Sequence, residues 1–245
     1  MNWLLLRGLA RQSQHWGDFP ERLAEALPGD RVYLRDLPGT GSRNAQASPK
    51  TIPAIREAVQ AACDDLPVPL ILVGLSLGGM VALDWAIRSP KSIAGVVAIN
   101  SSSGWSPSWQ RLQPRRWGRV LAGLADPDSE RREARIWHLT SNNTEQPGVL
   151  THWCQLHKQS PVTRRTALRQ IFAAARYHPT SRSPEMPVLL LASRADRLVD
   201  PRCSGKLAQL WNCKLVLHDR AGHDLPLDDP EWVLARLMAF RDGLS

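Results

Sequence analysis

Residues 69–88 read PLILVGLSLGGMVALDWAIR, and the fold turns on how that stretch is parsed. Leu70–Val73 is an uninterrupted apolar run, the pattern of a strand covered on both faces in a parallel sheet. From Gly79 onward the pattern suits a buried helix. The residues between, Gly74-Leu75-Ser76-Leu77-Gly78, leave room only for a tight turn, which glycines permit because they tolerate crowding and unusual dihedrals. A serine in a strained strand-to-helix turn exposes its hydroxyl, and the helix behind it points N–H groups and a positive dipole end at the site. G-x-S-x-G spacing alone is weak. In this context it makes Ser76 a candidate nucleophile.

Outward from this turn, further β-rich runs fall at 3–8, 31–37, 93–100, 187–192 and 214–218. Helical patterns alternate with them at 19–26, 52–63, 79–87, 204–210 and 229–241. Such alternation predicts a doubly wound α/β fold, with a mostly parallel sheet of about six strands and helices on both faces. The order breaks between Ile99 and Pro187. There Trp117, Val120, Leu121 and Leu124 recur at helical spacing, and Ser160-Pro161 reads as a helix start ahead of Leu168, Ile171, Phe172 and Ala175. The flanks GWSPSW (104–109) and HPTSRSPEMP (178–187) read as hinges. The predicted division is a core of 1–103 and 187–245 with a helical cap at 104–186.

The chain has 245 residues, 43% hydrophobic and 22% charged, which suits one globular domain. Leu66–Leu83 approaches membrane-span length, but Pro67, Pro69 and three glycines interrupt it, so no membrane segment is expected. The apolar start is short for an export signal and broken by Arg7, which predicts a cytoplasmic location. Cys63, Cys154, Cys203 and Cys213 show no C-x-x-C pairing and are expected to be free. In HWCQLH (152–157) the two histidines do not share a helix face, and no metal site is expected. Of the net charge of +8, residues 105–186 carry +7, without any helix-turn-helix, zinc or aromatic-interleaved motif for nucleic acid.

A serine hydroxyl needs a base to remove its proton. Among seven histidines, His223 is best placed, in RAGHDLP (220–226) just after the last strand, where loops reach the carboxyl edge of the sheet. His218 lies inside that strand, His138, His152, His157 and His178 lie in the cap region, and His15 is a weaker, substrate-side candidate. The base needs a carboxylate to orient it. Asp196, in SRADRLV (193–199), follows the strand at 187–192, with Asp200 as the substitute. Asp224 adjoins the histidine and reads as a loop residue, because adjacent side chains diverge.

GLSLGG (74–79), SRADRLV (193–199), AGHDLPLDDP (221–230) and DLPGTGSR (36–43) together make the chain resemble the α/β-hydrolase family over almost its whole length. The resemblance implies Ser76 as nucleophile, His223 as general base and then acid, and Asp196 as orienting acid, in the family's chain order. It also implies that the N–H groups of Leu9 and Leu77 form the oxyanion hole, and it implies no cofactor. A serine rather than an aspartate at 76 argues against dehalogenase or epoxide hydrolase chemistry. The family usually carries His-Gly after its first core strand, whereas this chain has Arg7-Gly8. Arg7 either braces the loop through carbonyl hydrogen bonds or tunes the oxyanion site. The chain also starts almost at that strand, so two N-terminal strands common in the family are expected to be missing.

The cap region holds five of the ten tryptophans, of which Trp105, Trp109 and Trp137 are candidate substrate contacts, with core packing as the alternative. Its arginine pairs, Arg164/Arg165 foremost, read as solvated helix faces or as a surface for an acidic partner. A basic cap over such a site resembles the esterases of biotin synthesis, which cleave a methyl ester from an acyl chain on an acidic acyl carrier protein. The expected function is therefore serine hydrolysis of a carboxylic ester by a monomer or homodimer. Thioesters, lactones and carbon–carbon bonds are alternative substrates, and a non-hydrolytic ligand-binding receptor is the alternative class.

Overall fold

The apolar runs become six strands in a computed structural model that describes every residue except 116, 117, 119, 121, 123–125, 127 and 245. They are β1 (Asn2–Leu6), β2 (Arg31–Arg35), β3 (Leu70–Leu75), β4 (Ile93–Ile99), β5 (Val188–Ser193) and β6 (Lys214–His218). The sheet order is β2-β1-β3-β4-β5-β6, and every pairing is parallel. β3 and β5 are buried at every residue, as strands covered on both faces must be.

Alternate residues of each strand feed two separate cores. Leu4, Leu6 and Leu72 pack with Val81 and Leu83 of α3 (Leu77–Arg88) and Ile55 of α2 (Ile52–Ala61). Trp3, Leu5 and Val73 point the other way, against Phe19 and Leu23 of α1 (Phe19–Ala26) and Leu237 of the C-terminal helix Pro230–Asp242. The chain reverses its direction of travel across the sheet between β1 and β3. Loops at the carboxyl ends of those two strands therefore open a crevice, the usual ligand position in such sheets.

Between β4 and β5 lie α4 (Ser108–Arg111), α5 (Ser129–Thr140), α6 (Val149–Gln159) and α7 (Arg164–Arg176). Two expectations fail here. α7 begins after Thr163, whose side chain accepts the Thr166 N–H at 3.0 Å; Ser160 instead closes α6, its N–H bonded to Leu156 O at 2.9 Å. The helix is also rotated from the predicted face: Thr166, Ala167, Gln170 and Ala173 are buried, while Leu168 and Phe172 are 56% and 45% exposed. Trp117, Leu121 and Leu124 lie outside the described residues.

β5 is followed by α8 (Arg202–Trp211), and β6 by α9 (Leu225–Asp228) and α10 (Pro230–Asp242). No helix among the described residues is long and apolar enough to cross a membrane.

Candidate active site

Ser76 sits alone between β3 and α3 with φ 56° and ψ −113°, left-handed territory that a residue with a Cβ enters only under constraint. The constraint is backbone crowding. A Cβ on Gly74 would come within 2.3 Å of Gly78 O, and one on Gly78 within 2.3 Å of Leu6 O. α3 thus abuts the end of β1, and the turn has no slack. Hydrogen bonds hold it: Ser76 N–H donates to Ile99 O at 2.8 Å, and Ser101 Oγ donates to Ser76 O at 2.9 Å.

His223 and Asp196 meet on the carboxyl side of the sheet. Nδ1 of His223 lies 2.7 Å from Asp196 Oδ2, and both side chains are buried. The other carboxylate oxygen of Asp196 accepts the N–H groups of Leu198 at 2.7 Å and Val199 at 3.0 Å, so the acid is fixed at both ends. Asn100 secures the base loop, donating to His223 O at 2.8 Å. Burial pulls the His223 pKa down, but the charge and hydrogen bond of Asp196, aided by Asp224, outweigh it, and the net direction is upward. Among the described residues no hydrogen bond joins Ser76 to His223. Contacts of this kind commonly tighten only in a substrate complex. Asp200, the substitute acid, is turned to Arg202 at 2.5 Å, and His218 bonds Asp229 at 3.0 Å.

Arg7 does not brace the loop through carbonyls, the first of the two roles the sequence suggested. Its guanidinium pairs bidentately with Asp224, at 3.0 Å and 2.5 Å, in a fully buried fork, and lies over the Trp16 ring at 4.9 Å. Asp224 does diverge from His223 as expected of a neighbour, and that divergence delivers it to Arg7. The pair joins the loop after β1 to the loop carrying the histidine.

Ser76, Leu9, Leu77, Arg7 and His223 line one cavity of about 290 Å³. Leu77 is the first residue of α3, so its N–H has no intrahelical acceptor. Neither the Leu9 nor the Leu77 amide donates to another described residue. From the segment between β4 and β5 the apolar lining includes Ile136 and Leu139 of α5 and Ile171 and Ala174 of α7, with Arg111 and Arg135 beside them. The tryptophans named from the sequence are elsewhere. Trp105 donates to Pro179 O at 3.0 Å and packs on His178, Trp109 is 61% exposed, and Trp137 is buried off the cavity. Arg164 and Arg165 lie on the exposed first turn of α7, Arg164 beside a separate cavity of about 50 Å³.

Sequence reasoning missed the contacts that seat these helices on the core. Arg11 Nη1 donates to Glu133 Oε2 of α5 at 2.6 Å, lies 2.9 Å from His15 Nε2, and stacks over Trp153 of α6 at 4.2 Å. Burial, then the charges of Arg11 and Arg7, hold His15 well below the usual histidine range. Gln170 of α7, fully buried, accepts the Ala10 N–H at 2.8 Å, where Ala10 has φ 54°. Periodicity did not mark Gln170, because it put Leu168, Ile171, Phe172 and Ala175 on the buried face.

A family profile described as the alpha/beta hydrolase fold matches residues 4–230. A pimeloyl-[acyl-carrier protein] methyl ester esterase of Pectobacterium atrosepticum is 26% identical, the match covering 97% of this chain and 92% of that protein. A biotin biosynthesis bifunctional protein of Cellvibrio japonicus is 25% identical over 99% of this chain; the match spans 48% of its length, about half. Among solved structures, the enol-lactonase of Burkholderia xenovorans superposes with a TM-score of 0.80 at 19% identity, covering 98% of this chain and 91% of that one.

Proposed function

Since the chain belongs to the alpha/beta hydrolase fold family, we propose that it is a serine esterase with Ser76 as nucleophile, His223 as base and Asp196 as orienting acid. The observation that carries the reading is the buried His223–Asp196 bond opening on the same cavity as the strained Ser76 turn. Ser76 Oγ attacks the acyl carbonyl while His223 Nε2 takes its proton. Asp196, already on Nδ1, fixes the tautomer and stabilises the imidazolium. The Leu9 and Leu77 amides then hold the tetrahedral oxyanion, each donor worth roughly 10²–10³ in rate. Collapse expels the alcohol, which takes the proton from His223. A water activated by the same histidine attacks the acyl-enzyme and frees the acid and Ser76.

Residues 104–186 serve as a cap that closes this site and supplies its acyl-binding wall. The ester-cleaving relatives support a methyl ester carried on an acyl carrier protein as substrate, and Arg164 and Arg165, exposed on α7, suit an acidic carrier. The unpaired cysteines favour a reducing, cytoplasmic compartment. The same catalytic groups serve thioesters and lactones. A non-hydrolytic receptor has no use for a buried histidine–carboxylate pair beside a strained serine.

Fluorophosphonate labelling tests the chemistry. The protein is expected to label, and Ser76→Ala to lose both labelling and activity by on the order of 10⁴-fold or more. A folded protein that never labels overturns the reading. Reversing the charges of Arg164 and Arg165 is expected to slow hydrolysis of the carrier-bound ester at low salt; a salt-independent, unchanged rate removes the carrier from the proposal.

A further inference from the structure

Among the described residues four arginines line the active-site cavity, and three have their charge met by a carboxylate. Arg7 pairs with Asp224, Arg11 with Glu133, and Arg135 with Asp126 at 3.3 Å. Arg111, at the end of α4, is different. Among the described residues no carboxylate pairs with it, and the ionisable side chain that acts on it is Cys203. That thiol is pushed up to about 11, chiefly by burial, so it stays neutral at physiological pH and offers no counter-charge.

What Arg111 does bond is backbone. Nη1 donates to Ala175 O at 2.8 Å and Nη2 to Ala174 O, on the last turn of α7. These carbonyls satisfy two donors and, as a helix C-terminus, soften the charge by about half a unit. Three N–H groups remain, and Nε is buried without any hydrogen-bond partner. A half-buried cation in a cavity that Leu112, Leu198 and Val199 also line bears a desolvation cost that α7 answers only in part.

We infer that Arg111 is the binding site for a carboxylate at the far end of the acyl chain, so that half-esters of dicarboxylic acids are cleaved in preference to esters of monoacids of equal length. The ester end meets Ser76 while the free acid meets the unused edge of the guanidinium, a planar fork that matches carboxylate geometry. A chain ending in a methyl group leaves that edge dry and unmatched. The inference rests on the esterase reading of the site and adds the free half-ester, its acid in place of the carrier-linked end, to the carrier-bound ester as a substrate.

The test compares monomethyl esters of straight-chain dicarboxylic acids with methyl esters of monoacids of equal length. The wild-type protein is expected to favour the half-ester in kcat/KM by about ten- to a hundredfold, the range of a charge-assisted hydrogen bond. In Arg111→Met the ratio should collapse towards one, and in Arg111→Lys part of it should survive. Taking the ratio within each variant cancels any general damage from the lost Ala174 and Ala175 contacts. No preference in the wild type, a preference that persists in Arg111→Met, or a half-ester cleaved no better than a neutral ester while the carrier-bound ester is cleaved well, each overturns the inference. Calorimetric titration with a straight-chain monocarboxylate and with its neutral primary amide separates the site from the chemistry. If no ester is cleaved, the esterase reading fails, yet tighter carboxylate binding that Arg111→Met abolishes still supports the site, and equal binding of the acid and the amide overturns it.

Discussion

The two walls of the cavity are held in place by different physics. On the core side, Ser76 and Leu77 are located by backbone meeting backbone, with Gly78 so close to the carbonyls of Leu6 and Arg7 that no side chain fits. On the side of α5, α6 and α7 the joining contacts are made by side chains: Arg11 to Glu133, Gln170 to Ala10, and Thr166 over Gly39. Backbone crowding admits one arrangement, whereas a side-chain contact can be exchanged for another of similar shape and charge. The first wall therefore holds the proposed nucleophile and an oxyanion amide, and the second is free to vary in shape and charge.

The sharpest break of that contrast is Gly78→Ala, expected to cost about 4 kcal/mol or more, or to prevent folding, since the new Cβ meets backbone that cannot move aside. Gly205→Ala, in α8 with nothing within 4 Å of its Cβ position, is the control and should gain up to about 1 kcal/mol. Denaturant unfolding of both reads the difference; a Gly78→Ala protein within about 1 kcal/mol of wild type contradicts the account. On the other wall, Glu133→Gln leaves Arg11 buried without its counter-charge and should cost about 3 kcal/mol. Because that loss falls on the seating of α5, it should raise KM more than it lowers kcat. Steady-state kinetics showing the reverse would shift Glu133 into the chemistry.

The same contrast governs how much could be read from the sequence. The turn at Ser76, the pairing of Asp196 with His223 and the six strands were all legible, because steric necessity writes itself as glycine spacing and parallel strands as unbroken apolar runs. The Arg7–Asp224 fork was not. It spans |i−j| of 217 residues, and nothing local to Asp224 distinguishes an ion-pair partner from a loop aspartate. α7 was misread because a helix lying on loops buries small and polar residues, Thr166, Ala167 and Gln170, rather than the large apolar ones that periodicity rewards. Tryptophan content misled for a related reason: Trp105 and Trp137 found packing partners, and the cavity wall went to Ile136, Leu139 and Ile171.

A smaller effect probes the fork that ties the core loops together. Asp224 favours the protonated form of His223, and Arg7 opposes it. In Asp224→Asn the favourable charge is gone and Arg7 acts unopposed, so the imidazole pKa falls. The base must be neutral to accept the Ser76 proton, and the acid limb of the pH profile of kcat/KM should therefore move to lower pH. An unmoved limb, or one displaced to higher pH, would show that the fork braces the loops without acting on the base.

The mildest test reaches the seam between the walls through His15. Burial and the Arg11 charge hold its pKa well below the ordinary value in the folded protein. The unfolded chain takes up a proton below about pH 6.5 while the folded one does not, so stability is full above that value and declines as the pH falls towards the folded pKa. One proton gives a slope of at most about 1.4 kcal/mol per pH unit. His157, also lowered by burial and then by Arg132, acts in the same direction from α6. His15→Gln should flatten the acid slope of the unfolding free energy. Native-state hydrogen exchange should show where the loss begins: acidification is expected to speed exchange in α5 and α6 before β3, because the protonated imidazole disrupts the contact with Arg11 while the backbone-packed turn at Ser76 contains nothing that titrates. Uniform acceleration across both walls would mean that they unfold as one unit.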